Sequence, residues 1–276
     1  MKRSLFLARI TGRMLLVLLL FGAVFPANAQ EEDTDALLEM SFDDLMNIDI
    51  SVASITAKPI REQPGIVTTI TSEDISRMGA SSLEDLLWLV PGLYFGMDVT
   101  GVTGMGIRGF WAYDGKVVVI VDDMELNEHL FGTYPIGNHV PVDLIKQIEI
   151  IRGPGSAMYG GNAEMAVIKI TTKGADLEGG FANVDFGTSG NGASQGYAAG
   201  YGQTFGEKLH VSLTGSYRKD YRSDKDYVNA LGGRYDMGKG SDMKPGWLNF
   251  GLDYDGLSVR AVYDSYHLDD QSYYGW

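Results

Sequence analysis

Few side chains in this sequence are spaced in a way that could perform chemistry. Residues 104–109 read Gly-Met-Gly-Ile-Arg-Gly, which matches the glycine spacing of a dinucleotide-binding loop. Such a loop requires a strand before it and a helix directly after it. Residues 110–115, Phe-Trp-Ala-Tyr-Asp-Gly, do not begin a helix. We therefore predict no nucleotide cofactor from this motif.

The second chemical candidate is the Asp122-Asp123 pair at the end of a β-branched run. Catalytic carboxylates often follow strands in α/β enzymes, but no second acid, base or Ser-centred elbow accompanies this pair. The histidines lack metal-ligand spacing, and without cysteine there is no thiol nucleophile or cysteine-type zinc site. The histidines are His129, His139, His210 and His267. The sequence predicts no catalytic residue, no metal site, no cofactor and no enzyme.

The N-terminus predicts export. Four basic residues precede an apolar run at 14–25, and the Ala-Asn-Ala triplet at 27–29 has the small-x-small pattern of a signal-peptidase site. A membrane anchor would need about 20 apolar residues, more than this run provides. We predict a cleaved signal peptide over residues 1–29. The net charge of −14 argues against a nucleic-acid partner, because binding phosphates requires basic patches.

Two domains of different character follow an N-terminal segment at residues 30–65. Between residues 66 and 174, the segments 71–74 and 81–84 predict capped helix starts, and Gly79 predicts a helix end. The second helix carries an apolar stripe of Leu83, Leu86, Leu87 and Val90. Three β-branched runs, at 116–122, 147–152 and 166–172, predict the strands that cover this stripe. The first domain is therefore predicted to be α+β.

Residues 175–276 predict antiparallel transmembrane β-strands. Apolar and polar residues alternate with period two at 209–217, 248–254 and 257–263, with weaker candidates at 181–187 and 197–205. Alternation in segments of about ten residues with aromatic ends is typical of outer-membrane barrels. A membrane barrel needs about eight strands or more to close. We expect the barrel to be incomplete in this chain, which would then be an N-terminal fragment or a truncated product.

Several motifs occur in an order that resembles the plug domain of TonB-dependent outer-membrane receptors. Residues 71–92 give two helices and a final Val-Pro-Gly, and the leader at 37–58 resembles the region before the plug. The other matching motifs are Ile-Arg-Gly-Phe at 107–110, the strand at 118–122, the run Ile-Ile-Arg-Gly-Pro-Gly-Ser-Ala-Met-Tyr-Gly-Gly-Asn-Ala at 150–163 and the strand at 168–173. The resemblance covers residues 37–174. It implies a plug that sits inside a β-barrel and blocks its pore.

The resemblance also implies where the energy-coupling protein TonB binds. The extended segment at 49–57 lies where the family keeps its TonB box, and such a segment can add as a strand to a partner. The predicted TonB-interacting residues are Asp49, Ile50, Ser51, Val52, Ala53, Ser54 and Ile55. An ordinary linker strand remains the alternative.

The resemblance implies roles for two further sets of residues. Arg108 and Arg152, each in an Ile-Arg-Gly frame, would pair with carboxylates on the inner barrel wall, or else be solvated surface arginines. Residues 95–106 are predicted to form a loop and 125–139 a second long segment. Aromatic residues and a histidine in or near these two segments would face outward and contact the ligand, or else pack on the wall. The ligand-facing candidates are Tyr94, Phe95, Trp111, Tyr113, His129, Phe131 and Tyr134.

The leading hypothesis is a monomeric receptor in the Gram-negative outer membrane that takes up a bulky, scarce nutrient. TonB, membrane lipid and the ligand would be its partners. The resemblance makes a ferric siderophore the first candidate cargo, followed by cobalamin, haem or oligosaccharides. One alternative is a soluble periplasmic binding or signalling module. Another, an exported hydrolase, would need a nucleophile or acid pair that the sequence does not offer.

Overall fold

The computed structural model describes residues 49–50, 58–59, 66–97, 103–112, 115–134, 136–137, 139–153, 159–189, 192–221, 223–228, 232–238 and 240–269. The predicted signal peptide at 1–29 lies outside these stretches. In the described part of the chain, no helix is long and apolar enough to cross a membrane.

The first half of the chain contains ten strands and two helices in its described stretches. They are β1 (Asp49–Ile50), β2 (Lys58–Pro59), β3 (Ile66–Thr71), α1 (Ser72–Met78), α2 (Leu83–Leu87), β4 (Leu93–Met97), β5 (Thr103–Ile107), β6 (Phe110–Trp111), β7 (Val117–Val121), β8 (Met124–Glu125), β9 (Ile145–Arg152) and β10 (Ala166–Thr172). Short 3-10 turns occupy Val142–Leu144 and Lys173–Asp176. We call residues 66–176 the plug unit, which comprises the predicted domain at 66–174 and the remainder of the second 3-10 turn.

A five-stranded mixed sheet is the centre of the plug unit. Its order is β3-β9-β10-β7-β8, in which β7 and β10 run parallel and the other pairs are antiparallel. All five residues of β7 are buried, as expected for a β-branched strand that is covered on both faces. The three strands predicted from β-branched runs form β7, β9 and β10.

Both predicted helices are present, with caps that explain their starts. Thr71 and Asp74 form the capping box of α1, and Gly79 ends it in the left-handed region at φ 62°. The box of α2 pairs Ser82 with Asp85, one residue later than the 81–84 segment suggested. All four residues of the predicted stripe, Leu83, Leu86, Leu87 and Val90, are buried, although α2 ends at Leu87 and Val90 lies beyond it.

A small sheet corrects the expectation that residues 95–106 form a loop. The strands β4, β5 and β6 pair in that order, antiparallel throughout. Glycines hid these strands from the sequence pattern, since glycine has low strand propensity. In the structure the glycines leave room for rings: an added Cβ at Gly106 would lie 2.0 Å from Tyr94 Cζ, and one at Gly104 would lie 2.6 Å from Trp111 Cζ2.

The second half of the chain forms an open antiparallel sheet, as the alternating segments predicted. It has the order β11-β12-β13-β16-β17, and we call these five strands the wall sheet. The strands are β11 (Gly179–Ser189), β12 (Gly192–Phe205), β13 (Leu209–Tyr221), β14 (Asp226–Val228), β15 (Arg234–Asp236), β16 (Asp242–Tyr254) and β17 (Leu257–Leu268). The two short strands β14 and β15 form a hairpin within the loop that joins β13 to β16.

The two faces of the wall sheet differ in chemistry. On one face, Leu213, Leu248 and Tyr263 are at least half exposed. On the other face, which meets the plug unit, Ser212, Thr214 and Asn249 are buried. The apolar residues of the alternating segments 209–217, 248–254 and 257–263 therefore point outward, as the period-two pattern predicted, whereas Met243 and Trp247 of β16 are buried on the inner face.

Candidate plug–wall interface

A buried polar contact joins the plug unit to the middle of the wall sheet. The Asp122 carboxylate accepts hydrogen bonds from the Thr172 N–H at 2.8 Å, the Thr172 hydroxyl at 2.7 Å and Asn249 Nδ2 at 2.6 Å. Thr172 and Asn249 are 0% and 4% exposed. We call Asp122, Thr172 and Asn249 the polar seat. The seat brings the ends of β7 and β10 against the inner face of β16.

A second contact is electrostatic and joins the Val142–Leu144 turn to β11 and β13. Asp143 Oδ1 accepts a hydrogen bond from Asn183 Nδ2 at 2.7 Å, and Asp143 Oδ2 lies 3.9 Å from an Arg218 nitrogen. The same guanidinium pairs with Asp185 at 2.8 Å and donates to Ser194 Oγ at 3.2 Å. Here the plug unit supplies the carboxylate and the wall supplies the guanidinium.

A third contact joins residues 134–140 to β17. His139 Nδ1 lies 2.7 Å from Asp264 Oδ2, and the His139 ring stacks on Tyr266 with centroids 4.1 Å apart. Tyr134 lies edge-on to His139 at 5.8 Å. Burial, with a smaller contribution from the Asp264 charge, raises the pKa of the Tyr134 hydroxyl above its ordinary value of 10.0. Tyr134 therefore stays protonated at physiological pH.

The linker from the plug unit to the wall sheet packs closely on the wall as well. An added Cβ at Gly202 would lie 2.2 Å from the Leu177 carbonyl oxygen, so β12 must present a glycine there. That carbonyl also lies 3.1 Å from His210 Nε2 on β13. Lys173 lies over the Phe181 ring at 5.8 Å. The chain thus enters the wall along a path fixed by close contacts.

The structure places the two predicted plug arginines next to each other. An Arg108 nitrogen donates to the Arg152 carbonyl at 3.2 Å, and Arg152 donates to the Pro91 carbonyl at 2.8 Å. Arg108 has a positive φ of 50° and is exposed. Pairing of these arginines with wall carboxylates stays a prediction.

The aromatic ligand candidates fall into two groups. Tyr94 and Trp111 face each other on the small sheet with centroids 6.3 Å apart, while Phe95 packs on Trp88 at 5.4 Å. His129 and Phe131 are exposed on the loop that follows β8, whereas Tyr134 packs against the wall contact described above. Tyr113 lies outside the described residues. Ligand contact by any of these seven residues stays a prediction.

Hydrogen bonds give the loop of His129 and Phe131 a defined shape. Buried Asn127 accepts from the Val119 N–H at 2.8 Å and donates to the Val117 and Gly132 carbonyls, both at 2.7 Å. The Glu128 carboxylate accepts from the backbone N–H groups of Leu130 and Phe131, each at 2.6 Å. Desolvation opposes the ionisation of Glu128, but these bonds and those to Thr133 outweigh it and lower its pKa.

The predicted TonB-interacting segment is described only at its start. Asp49 and Ile50 form β1, whose backbone pairs with Lys58 and Pro59 in β2. The remaining predicted residues, 51–55, lie outside the described stretches. Their interaction with TonB stays a prediction.

Sequence reasoning missed most residues of the plug–wall contacts. Asp143, Asn183, Arg218 and Asn249 carry no local motif. Asp122 was considered as a strand-end carboxylate, but its partner Asn249 is 127 residues away in the chain. The available signal was the period-two pattern, which places Asn249 on the polar face of its strand. Within the described stretches, no group of three or more His, Asp or Glu residues is arranged to hold a metal ion.

Comparison with known proteins identifies the domain that precedes the wall sheet. The profile described as TonB-dependent Receptor Plug Domain matches residues 59–167. The vitamin B12 transporter BtuB of Vibrio vulnificus (strain CMCP6) is 34% identical over 138 residues, which cover 48% of this chain and 22% of the transporter.

Solved structures give the same fold. A mutant of the ferric enterobactin receptor PfeA of Pseudomonas aeruginosa, in complex with enterobactin, aligns with a TM-score of 0.58 at 21% identity over 75% of this chain and 34% of that one. The siderophore receptor PirA of Acinetobacter baumannii aligns with a TM-score of 0.54 at 22% identity over 74% of this chain and 32% of that one. At these identities the likeness shows the fold alone.

The chain spans about a fifth of the length of the B12 transporter and about a third of each receptor structure. The profile match covers the helices and most of the central sheet, and the structural likenesses extend over three-quarters of the chain. Residues 59–167 thus form a TonB-dependent receptor plug domain, and the antiparallel strands that follow it have the fold of the barrel strands in such receptors.

Proposed function

We propose that this chain is part of an outer-membrane receptor for TonB-coupled uptake of a bulky, scarce nutrient in a Gram-negative cell. The observation that supports the proposal is the two-faced wall sheet. Its polar face carries Asn249, Ser212 and Thr214 against the plug unit, while Leu213, Leu248 and Tyr263 are exposed on the other face. An apolar outer face suits lipid, and a polar inner face suits a plugged, hydrated lumen.

The mechanism we propose uses binding and movement rather than bond chemistry. Ligand would be captured on the outer side, and TonB would then bind residues 49–55 and pull, so that the plug shifts and opens a path. The energy would come from the partner, and the receptor would act as a monomer exported by the leader at 1–29. Backbone pairing with an extended segment is a known mode of recruitment.

For the cargo we propose a ferric siderophore, with cobalamin as the alternative. Both are bulky complexes that are too large and too scarce for passive entry. The fold is similar to that of two siderophore receptors, whereas a curated relative by sequence transports vitamin B12. Because the structural likeness stands below 25% identity, uptake measurements must decide between the two.

The test is uptake by a Gram-negative strain that lacks its own ferric-enterobactin and cobalamin receptors. The complete gene that includes the coding sequence of this chain is expressed in the presence or absence of TonB, and radiolabelled ferric enterobactin and cyanocobalamin are supplied separately. Accumulation of one label only when TonB is present supports the proposal. The complete receptor in the outer-membrane fraction without uptake of either label contradicts transport of these cargoes.

A deletion separates energy coupling from binding. Removal of residues 49–55 is expected to abolish uptake while leaving ligand binding to whole cells unchanged, because the segment would recruit TonB and not the cargo. If uptake survives the deletion, these residues are not the TonB site. Recovery of the chain as a soluble periplasmic protein would favour the alternative of a periplasmic binding or signalling module.

A further inference from the structure

The turn between β7 and β8 carries two aspartates whose side chains lie in different surroundings. Val121 pairs with Met124, so Asp122 and Asp123 are the two central residues of a tight hairpin, with φ of 45° and 68°. Hairpin turns with two positive φ values favour Asn-Gly and Asp-Gly, because these residues adopt the left-handed region most easily. The turn therefore accepts Asp122, and the contacts of its side chain decide whether it has a further role.

The neighbour Asp123 provides an internal comparison. Its side chain is 84% exposed and pairs with Lys169 at 3.0 Å. The Asp122 side chain instead enters the polar seat, where its two oxygens accept three hydrogen bonds. The two carboxylates share a turn and a backbone conformation, and they differ in that only Asp122 reaches the wall sheet.

The surroundings of the seat leave little room for an altered placement. An added Cβ at Gly174, directly after β10, would lie 3.3 Å from Ser212 Oγ and 3.5 Å from Thr214 Cγ2. Ser212 and Thr214 are 5% and 1% exposed. Two of the hydrogen bonds to Asp122 come from Thr172 of the plug unit itself, and the bond from Asn249 crosses to the wall sheet. A displaced plug unit would leave the buried Asn249 amide without this partner, which costs more than the pair gains when it is made.

We propose that Asp122 is a positioning residue that fixes where the plug unit sits on the wall sheet. It does so by holding the ends of β7 and β10 at Asn249, near the middle of β16. The proposal rests on the proposed function only in that a plug fixed in this way closes the lumen. The positioning itself can be measured without transport.

The reporter for the test is Trp247, which is 2% exposed and lies on β16 two residues before Asn249. It lines a cavity of about 20 Å³ together with Val140 and Pro141 of the plug unit. The purified chain is labelled with fluorotryptophan in detergent micelles, and the Trp247 resonance is assigned with Trp247→Phe. Displacement of the plug unit moves or doubles this resonance.

Asp122→Asn is the informative substitution, because asparagine suits the turn at least as well as aspartate does. With its oxygen at the Thr172 N–H, the new amide points an N–H group at Asn249 Nδ2. Turning the Asn249 amide over to avoid this clash would withdraw the N–H group that Asn249 donates to Thr172 Oγ1 at 3.2 Å. We expect a displaced or doubled Trp247 resonance. Asp123→Asn, which changes the same charge in the same turn, is expected to leave the resonance in place. Identical spectra for the two variants would overturn the proposal.

The exchange variant Asp122→Asn/Asn249→Asp restores a donor opposite an acceptor, so the Trp247 resonance should return to its original position. If Asp122 served the turn alone, the exchange would not restore the resonance. A double variant whose Trp247 resonance is displaced as far as that of Asn249→Asp alone also overturns the proposal. If Asp122→Asn fails to fold, recovery of folding in the exchange variant carries the same information. Failure of the uptake experiment, by contrast, would leave this result unaffected.

Discussion

The plug unit and the wall sheet place their apolar residues on opposite sides. The plug unit encloses a continuous core of helix and sheet residues that includes Leu86, Val119 and Ile150. Among the hydrophobic wall residues that the structure describes, only Ala198, Met243 and Trp247 are buried, and most of the large ones are exposed. The plug unit thus buries its apolar residues as a water-soluble protein does. The wall sheet exposes them on its outer face, which suits an apolar medium there.

This difference shows which forces hold each region. Apolar burial at about 25 cal/mol per Å² stabilises the plug unit. The wall sheet depends on its long antiparallel ladders, such as the unbroken pairing of β16 with β17. In lipid, backbone groups must be satisfied internally, so such ladders are obligatory there. Contacts between the regions are polar in the seat and at His139, and apolar where Ala198 and Trp247 of the wall sheet join the core of the plug unit.

The largest effect is expected when one substitution is made in each region. Leu86 is fully buried and Leu248 is 51% exposed. Leu86→Ala should destabilise the plug unit by about 2–5 kcal/mol, because it leaves a cavity as well as losing apolar burial. Leu248→Ala should cost less than about 1 kcal/mol. Urea unfolding of the purified chain in micelles, followed by circular dichroism, measures both; equal costs would contradict the comparison.

An intermediate effect is expected where the linker crosses the wall. Gly202→Ala would place a methyl group 2.2 Å from the Leu177 carbonyl oxygen, so linker or strand must move. We expect a loss of about 1–3 kcal/mol, in the range of overpacked sites, and a lower melting temperature.

Gly187→Ala is the matched control on the same sheet. Its added methyl group would lie 3.9 Å from the nearest atom, Ser194 Cβ, which is an ordinary contact. This variant should melt at or slightly above the wild-type temperature, since alanine restricts the unfolded chain. A Gly202→Ala variant as stable as Gly187→Ala would mean that the linker is not held at Leu177.

The elements that could be predicted from the sequence are those with a local signal. The β-branched runs gave β7, β9 and β10, the caps gave α1 and α2, and period-two alternation gave the outward faces of β13, β16 and β17. The sheet of β4, β5 and β6 was missed because its strands contain glycines, which are covered by the Tyr94 and Trp111 rings. Strand propensity does not register a packing arrangement of that kind.

The interface was out of reach of the sequence for a different reason. Parallel pairing of β7 with β10 and the contact of Asp122 with Asn249 join residues far apart in the chain. Arg218 illustrates the difficulty: the resemblance led to arginines on the plug and carboxylates on the wall, and Arg218 is a wall arginine near the plug carboxylate of Asp143. The packing of the plug unit on the wall sheet decides which polar residues meet. The period-two pattern specifies only the face of the sheet on which a residue lies.

The smallest effect concerns the Glu128 loop of the plug unit, where Leu130 and Phe131 are exposed. Backbone N–H groups of Leu130 and Phe131 hold the Glu128 carboxylate in its ionised form, so its folded pKa lies below the ordinary 4.5. A depressed pKa means that the ionised carboxylate contributes its full stabilisation above that ordinary value. The contribution is lost as the pH falls through the lower folded pKa.

We therefore expect the amide hydrogens of Leu130 and Phe131 to lose protection from exchange in acid, after correction for intrinsic rates. Amides in β7, which lie in the buried sheet, should keep theirs over the same range. Glu128→Gln should lower loop protection at neutral pH and remove its pH dependence. If protection of the loop is independent of pH in the wild type, then Asn127 and the close approach of Gly132 to Gly115 hold its shape. The hydrogen bonds to the Glu128 carboxylate would then result from the loop conformation and would not stabilise it.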